Sequence, residues 1–142
     1  MDILDYIKNE IYFRVKPSSI EGVGLFAIKD IPEGTDIFRE FWSSAELSSF
    51  QIEKSKLYGT HPGVVRMLQD YWKHDDKFQY FYLPKNYKFM HTYYINHSDN
   101  PNIEHYYRND ETQGVVTIRD ILEGEEIVED YTIYHADGLP TR

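Results

Sequence analysis

The chain has 142 residues, long enough for one domain with a real core. It carries 15 Lys and Arg against 24 Asp and Glu, and a formal net charge of -9 argues against tight binding to nucleic-acid phosphates and suits a cationic partner. There is no cysteine, which excludes a disulfide framework and any thiolate zinc site.

Residues 1–10 read as a short helix or a loose leader. The start, Met1-Asp2-Ile3-Leu4-Asp5-Tyr6, lacks the basic and apolar regions of a signal peptide. No run is long and apolar enough to span a bilayer, so a soluble intracellular protein is expected, nuclear or cytoplasmic. Ile11-Tyr12-Phe13-Arg14-Val15 is β-branched and aromatic and predicts a strand that Pro17-Ser18-Ser19 ends. In Glu21-Gly22-Val23-Gly24-Leu25-Phe26-Ala27, two glycines one residue apart precede an apolar strand. They mark a tight turn where backbone approaches something closely. A dinucleotide-binding turn would need a third glycine and a helix behind it, and a strand follows here instead. Ile31 to Phe38 reads as a turn at Pro32-Glu33-Gly34 and then a strand.

The middle differs. Ser43 or Ser44 is placed to cap a helix running through Leu47, Phe50 and Ile52. Val64 to Trp72 has apolar residues at helical spacing behind Pro62-Gly63. Gln79 to Leu83 reads as a strand ended by Pro84. This stretch looks like an insertion, largely helical, between two β halves.

The segment Tyr93-Tyr94-Ile95-Asn96-His97-Ser98-Asp99-Asn100-Pro101-Asn102 fits neither a plain helix nor a plain strand. An unpaired buried amide or imidazole costs about 1–3 kcal/mol, so Asn96 and His97 need polar partners if they turn inward. A ligand or another loop would supply them, and so would a capped turn around a satisfied histidine. Ile103 to Tyr107 and Val115 to Ile118, separated by residues 109–114, predict a hairpin. Ile121 to Val128 has the earlier pattern of turn then strand. No repeat, low-complexity segment or linker stands out. Strands at both ends without strand–helix alternation predict a mainly β fold.

Three signals stand in order: Glu21-Gly22-Val23-Gly24-Leu25-Phe26-Ala27, then Tyr94-Ile95-Asn96-His97-Ser98 with Pro101-Asn102, then Gly124-Glu125-Glu126-Ile127-Val128-Glu129-Asp130-Tyr131. Together they resemble the SET domain family of protein lysine methyltransferases, over roughly residues 11 to 134. The resemblance implies a SET-type β-clip of small curved sheets with a C-terminal pseudoknot. It implies one domain over 1–142, with a core at about 11–134 and a short helical insertion at about 44–78. It also implies S-adenosylmethionine as cofactor, held by Glu21, Gly22, Val23, Gly24, Tyr94, Asn96, His97 and Tyr134. Tyr131 matches the catalytic tyrosine. Tyr80, Tyr82, Tyr106 and Glu129 are candidates for the walls of a lysine channel, as is Phe81. The implied partner is a lysine-bearing protein or peptide, histone-like or otherwise basic, with no direct nucleic acid and no membrane.

These residue types suit that chemistry. Methyl transfer from a sulfonium to nitrogen needs a neutral amine, yet with a pKa near 10.4 only about one lysine in two thousand is neutral at pH 7. An apolar, aromatic channel lowers that pKa by desolvation, and aromatic faces tolerate a methylated ammonium product. The chain's 13 tyrosines supply material for such a channel.

The sequence also departs from the family. Asp99 stands where many members have cysteine after Asn-His-Ser. Glu129 stands where many hold Phe or Tyr, a position that helps set how many methyls are added. Instead of a cysteine-rich tail, eleven residues follow Tyr131, as in minimal viral and microbial members. A homodimer that completes its site is one expectation. His91, His97, Glu104, His105 and His135 match no metal-binding spacing. Asp120, Glu123, Glu125, Glu126, Glu129 and Asp130 form either a solvated face or an attractive rim for a basic tail. The alternative function is a binding module on the same scaffold, without turnover.

Overall fold

A computed structural model describes residues 2–39, 47–84, 94–109 and 113–133. It is mainly β, with small sheets and two α-helices among the described residues, and it divides into two compact units. None of these helices is long and apolar enough to cross a membrane.

One unit comprises Met1–Ile11 and Glu40–Phe89. Its first helix, α1 (Ile3–Asn9), starts at Asp2, whose side chain accepts the Asp5 N–H. Strand β3 (Leu47–Glu53) runs antiparallel to β4 (Phe78–Pro84), and α2 (Pro62–Tyr71) lies between them in sequence. Helix α2 has Pro62 in its first turn and His61 Nδ1 accepting the Gly63 N–H, and it buries Val64, Met67 and Leu68 on one face. Side chains of α1, α2 and β4 line one small apolar cavity, Tyr6, Leu68 and Phe81 among them.

The helix expected through Leu47, Phe50 and Ile52 is instead strand β3. Exposure alternates along it, with Ser48, Phe50 and Ile52 turned inward and Leu47, Ser49, Gln51 and Glu53 outward. Phe50 lies opposite Phe81 with ring centroids 4.9 Å apart. A cross-strand stack of this kind overrides a weak helical spacing of three apolar residues. The expected caps Ser43 and Ser44 lie outside the described residues.

The other unit comprises Tyr12–Arg39 and Met90–Arg142. Strands β1 (Phe13–Pro17) and β2 (Val23–Ala27) form a hairpin, closed by Gly22 at φ +48. After β5 (Asn96–His97) come β6 (Ile103–Tyr107) and β7 (Gln113–Thr117), which form the expected second hairpin. Strand β8 (Glu126–Glu129) completes a sheet of order β1-β2-β8-β5, antiparallel to β2 and parallel to β5. The strand expected after Pro32-Glu33-Gly34 is reduced to single bridges, Ile31 to Ile121 and Asp36 to Val116.

A repeat invisible in composition is plain in the ladders. Phe13 faces Ala27 in the first hairpin, and Ile103 faces Thr117 in the second, each number raised by 90. The turns behind them interlock reciprocally. Ile31 N–H donates to Ile121 O at 2.7 Å, and Ile121 N–H donates back to Ile31 O at 2.8 Å. Asp120 accepts the Glu33 N–H, and Asp30 accepts the Glu123 N–H, both at 2.8 Å. Gly34 and Gly124 share φ near +85, at +82 and +87, where a side chain would be strained. Ile31, Ile37, Ile121 and Ile127 are all buried at this junction. The absence of a repeat expected from sequence is therefore corrected. Side-chain identity follows the same pattern at these turns, where Ile28, Asp30, Ile31, Glu33, Gly34 and Ile37 recur as Ile118, Asp120, Ile121, Glu123, Gly124 and Ile127.

Candidate active site

The site grows from the turn before β2 and from the parallel pair β5 and β8. Asn96 faces Val128 in that pair, and His97 faces Glu129. Asn102, fully buried, ties the same strand from its other end. Its N–H donates to Val128 O, its Oδ1 accepts the Val128 N–H, and its Nδ2 donates to Glu126 O.

The Asn96 amide finds its partners inside the protein. Its Nδ2 donates toward Glu126 Oε1 at 2.8 Å, and toward Val23 O and Ser18 Oγ, each at 3.1 Å. Ser18 Oγ in turn donates to Glu126 Oε2 and accepts the Ile20 N–H. This network pins the glycine turn to β5 and β8. Gly24 makes it possible, because a Cβ there would collide with the Glu126 carboxylate and press on Asn96 Nδ2. Gly22 differs: no described atom lies within 4 Å of where its Cβ would be. Its backbone is open, beside exposed Ile20 and Val23.

His97 is held at both ring nitrogens. Nδ1 accepts the Tyr131 N–H at 3.1 Å, so the proton sits on Nε2 and points to Asp99 Oδ1 at 3.0 Å. Its ring lies 5.2 Å from that of Tyr131. Thr132 donates its hydroxyl and its N–H to Asp130, which holds that carboxyl below its usual range.

Tyr131 opens a short 3-10 turn directly after β8 and Asp130. Its hydroxyl donates to Ile95 O, although the residue as a whole is 52% exposed. Desolvation, then the charges of Glu129 and Glu21, raise the phenol above its ordinary value. The hydroxyl is therefore neutral at physiological pH, with its proton committed and its lone pairs available.

The SET domain family model matches residues 22–132, which includes the glycine turn, Asn96-His97 and Tyr131. The chain belongs to the SET domain family. Methyl transfer is the chemistry of that family. No curated protein matches the chain. Among solved structures, a Plasmodium falciparum protein named "putative histone methyltransferase" is similar at 20% identity, over 85% of this chain and 93% of that one, with a TM-score of 0.44.

In this SET domain the unit that holds Tyr131 also holds Glu21, Gly22, Val23, Gly24, Tyr94, Asn96, His97, Tyr106 and Glu129. Tyr94 exposes its ring one residue before Ile95. Tyr106 donates its hydroxyl to Asp36, and its ring lies across Gly114, so it braces the second hairpin. Glu129 does not face solvent. Its carboxylate meets His105 Nε2 at 2.5 Å, with the side chains only 12% and 16% exposed. Tyr80, Tyr82 and Phe81 belong to β4 of the other unit. Tyr80 donates to Asp75, Tyr82 is exposed, and Phe81 is a core residue at 1% exposure. Tyr134 lies outside the described residues. Sequence reasoning missed Ser18 and His105 as parts of this site, and it held Asn102 and Glu126 within the second and third motifs without assigning them a role.

Proposed function

We propose that this SET domain transfers a methyl group from S-adenosylmethionine to the side-chain amine of a lysine in a protein. The observation that carries the proposal is Tyr131, neutral, with its hydroxyl proton engaged by Ile95 O.

The residues fit the cofactor. An open left-handed turn at Gly22 lets a ligand approach the backbone closely, with apolar Ile20 and Val23 exposed beside it. The exposed Tyr94 ring offers a stacking surface. The negative charges of Glu21 and Glu129 act on the neighbourhood of Tyr131, which favours a cationic sulfonium. Glu21, Gly22, Val23, Tyr94, Asn96 and His97 would hold the cofactor, with Gly24 keeping their framework closed. When bound, it supplies a methyl on positively charged sulfur.

The chain's own part is binding and orientation. Because the Tyr131 proton is committed, its oxygen accepts an N–H from the amine and aims the nitrogen lone pair. Partial desolvation around the ring lowers the amine's affinity for its extra proton. Acidic residues at and beside the site attract a basic segment.

The test mixes purified protein with labelled S-adenosylmethionine and a panel of lysine-rich proteins, beside a Tyr131→Phe variant. Label in lysine that the variant strongly reduces is the expected result. Label absent from every protein, with no cofactor binding by calorimetry, would sink the proposal.

A further inference from the structure

The His97 ring does something for Tyr131 that cofactor binding does not require. Tyr131 opens the 3-10 turn Tyr131–Ile133, and the first N–H groups of such a turn have no carbonyl of their own. Asp130 caps the second, accepting the Thr132 N–H at 2.9 Å. His97 Nδ1 caps the first, accepting the Tyr131 N–H at 3.1 Å. That bond uses the lone pair on Nδ1, so it exists only while the ring is neutral. A carboxylate stands beside it. Asp130 Oδ1 lies 3.8 Å from Nδ1, too far for a hydrogen bond, yet a shift of about 1 Å would make one. The other ring nitrogen already points its proton at Asp99 Oδ1. Across the ladder, Glu129 is engaged by His105, so among the described residues Asp99, Asp130 and Tyr131 are the titratable groups that meet the ring. A doubly protonated His97 therefore finds a carboxylate at each nitrogen, and the Tyr131 N–H loses its acceptor.

We infer that His97 is a proton-gated positioning residue for Tyr131: its neutral ring holds the start of the Tyr131 turn, and its protonated ring turns Nδ1 to Asp130 and lets that turn go. The change is discrete, because one N–H donor cannot face another. Asp130 is the stronger carboxylate in this exchange. Its side chain is 21% exposed, whereas that of Asp99 is wholly exposed and screened by water. Histidine is the side chain that ordinarily changes charge between pH 5 and 8, so the hold is present at the upper end of that range and lost toward the lower. Once released, Tyr131 keeps its hydroxyl bond to Ile95 O but not the main-chain bond that fixes where its ring begins. The consequence rests on the proposed function: methyl transfer weakens on acidification by more than protonation of the substrate lysine explains. The gate itself is tested without turnover.

The experiment is NMR on the intact chain without ligand, from about pH 8 to about pH 5, following the His97 ring nitrogens and the Tyr131 amide. The Tyr131 amide is expected to shift as it loses its acceptor, with the same midpoint as the His97 ring. Asp130→Asn should move that midpoint to lower pH, since removing a nearby negative charge disfavours the cation. His97→Asn places an amide oxygen close to where Nδ1 lies, an acceptor that does not protonate in this range. It should keep the Tyr131 amide near its high-pH position throughout, whereas His97→Ala should leave it at the released position throughout. In methyl-transfer assays, the wild-type rate divided by the His97→Asn rate cancels the titration of the substrate lysine. That ratio should fall by up to about tenfold per pH unit below the midpoint, as one proton dictates. A Tyr131 amide indifferent to the His97 titration, a His97 ring that does not titrate in this range, or a His97→Asn chain that responds to acid as wild type does would each overturn the inference. A shared midpoint in a chain that transfers no methyl would leave the gate standing and remove the proposed function. Methyl transfer with an indifferent Tyr131 amide would do the reverse.

Discussion

The Tyr131 hydroxyl donates its proton to the main-chain oxygen of Ile95, 36 residues earlier and immediately before Asn96. This bond joins the end of one motif to the start of another. It sets the rotation of the phenol O–H, and so decides which side of the oxygen accepts. Removing it with Tyr131→Phe should lower methyl transfer about 100-fold or more, since a misoriented nucleophile alone costs that much. Label incorporation measures the loss. Calorimetry should show cofactor affinity little changed, because the ring and its contact with His97 remain.

Ionisation of the same phenol gives a second check. Desolvation is the largest cause of its raised pKa, followed by Glu129 and Glu21. Tyr131 should therefore ionise at higher pH than a free tyrosine, and Glu129→Gln should bring it part of the way back. Ultraviolet difference titration against Tyr131→Phe isolates the signal. The folded state binds this proton more tightly than the unfolded one. The stabilisation it contributes is thus complete below the ordinary phenol pKa, and it fades as pH rises through the folded value.

Gly24→Ala places a methyl where the Glu126 carboxylate now lies. The carboxylate can swing away only by leaving Asn96 and Ser18. Destabilisation of about 1–3 kcal/mol is expected, as for other overpacked sites, with weaker cofactor binding beside it. Denaturant titration and calorimetry read the two effects. A neutral outcome in both would mean that the Glu126–Asn96–Ser18 network does not organise the turn.

Asn102→Ala should cost more than its small volume suggests. It leaves the Val128 N–H and Glu126 C=O without side-chain partners in a buried setting. At about 1–3 kcal/mol for each unpaired group, a loss of several kcal/mol is expected in chemical unfolding.

The reciprocal turns predict matched effects. Asp30→Ala and Asp120→Ala each remove one acceptor from one turn amide. Each should cost about 0.5–1.5 kcal/mol, and the two values should agree within about 0.5 kcal/mol. Values that differ widely would show that the two turns are not mechanically equivalent.

Local features were readable from the chain alone. Gly22 and Gly24 announced the tight turn, Pro62-Gly63 the start of α2, and β-branched runs the two hairpins, because each depends on a residue's own backbone preferences or on close neighbours. The order of three short motifs was enough to point to the SET family. Strand β3 was not readable. Leu47, Phe50 and Ile52 are spaced ambiguously, and only the Phe81 ring across the ladder shows which face is inward. The partners of Asn96 were equally hidden, since Ser18 and Glu126 lie 78 and 30 residues away.

The sequence by itself determined the class of fold, the family and the residues that make the turn and carry the hydroxyl. Tertiary structure alone decided how they are used. It paired Glu129 with His105 from another strand, directed the Asn96 amide inward to the glycine turn, and interlocked two turns 90 residues apart. The physical reason is range. Turn and strand propensities act within a few residues, whereas a hydrogen bond or ion pair requires two groups within about 3 Å, and only the folded chain brings distant positions that close.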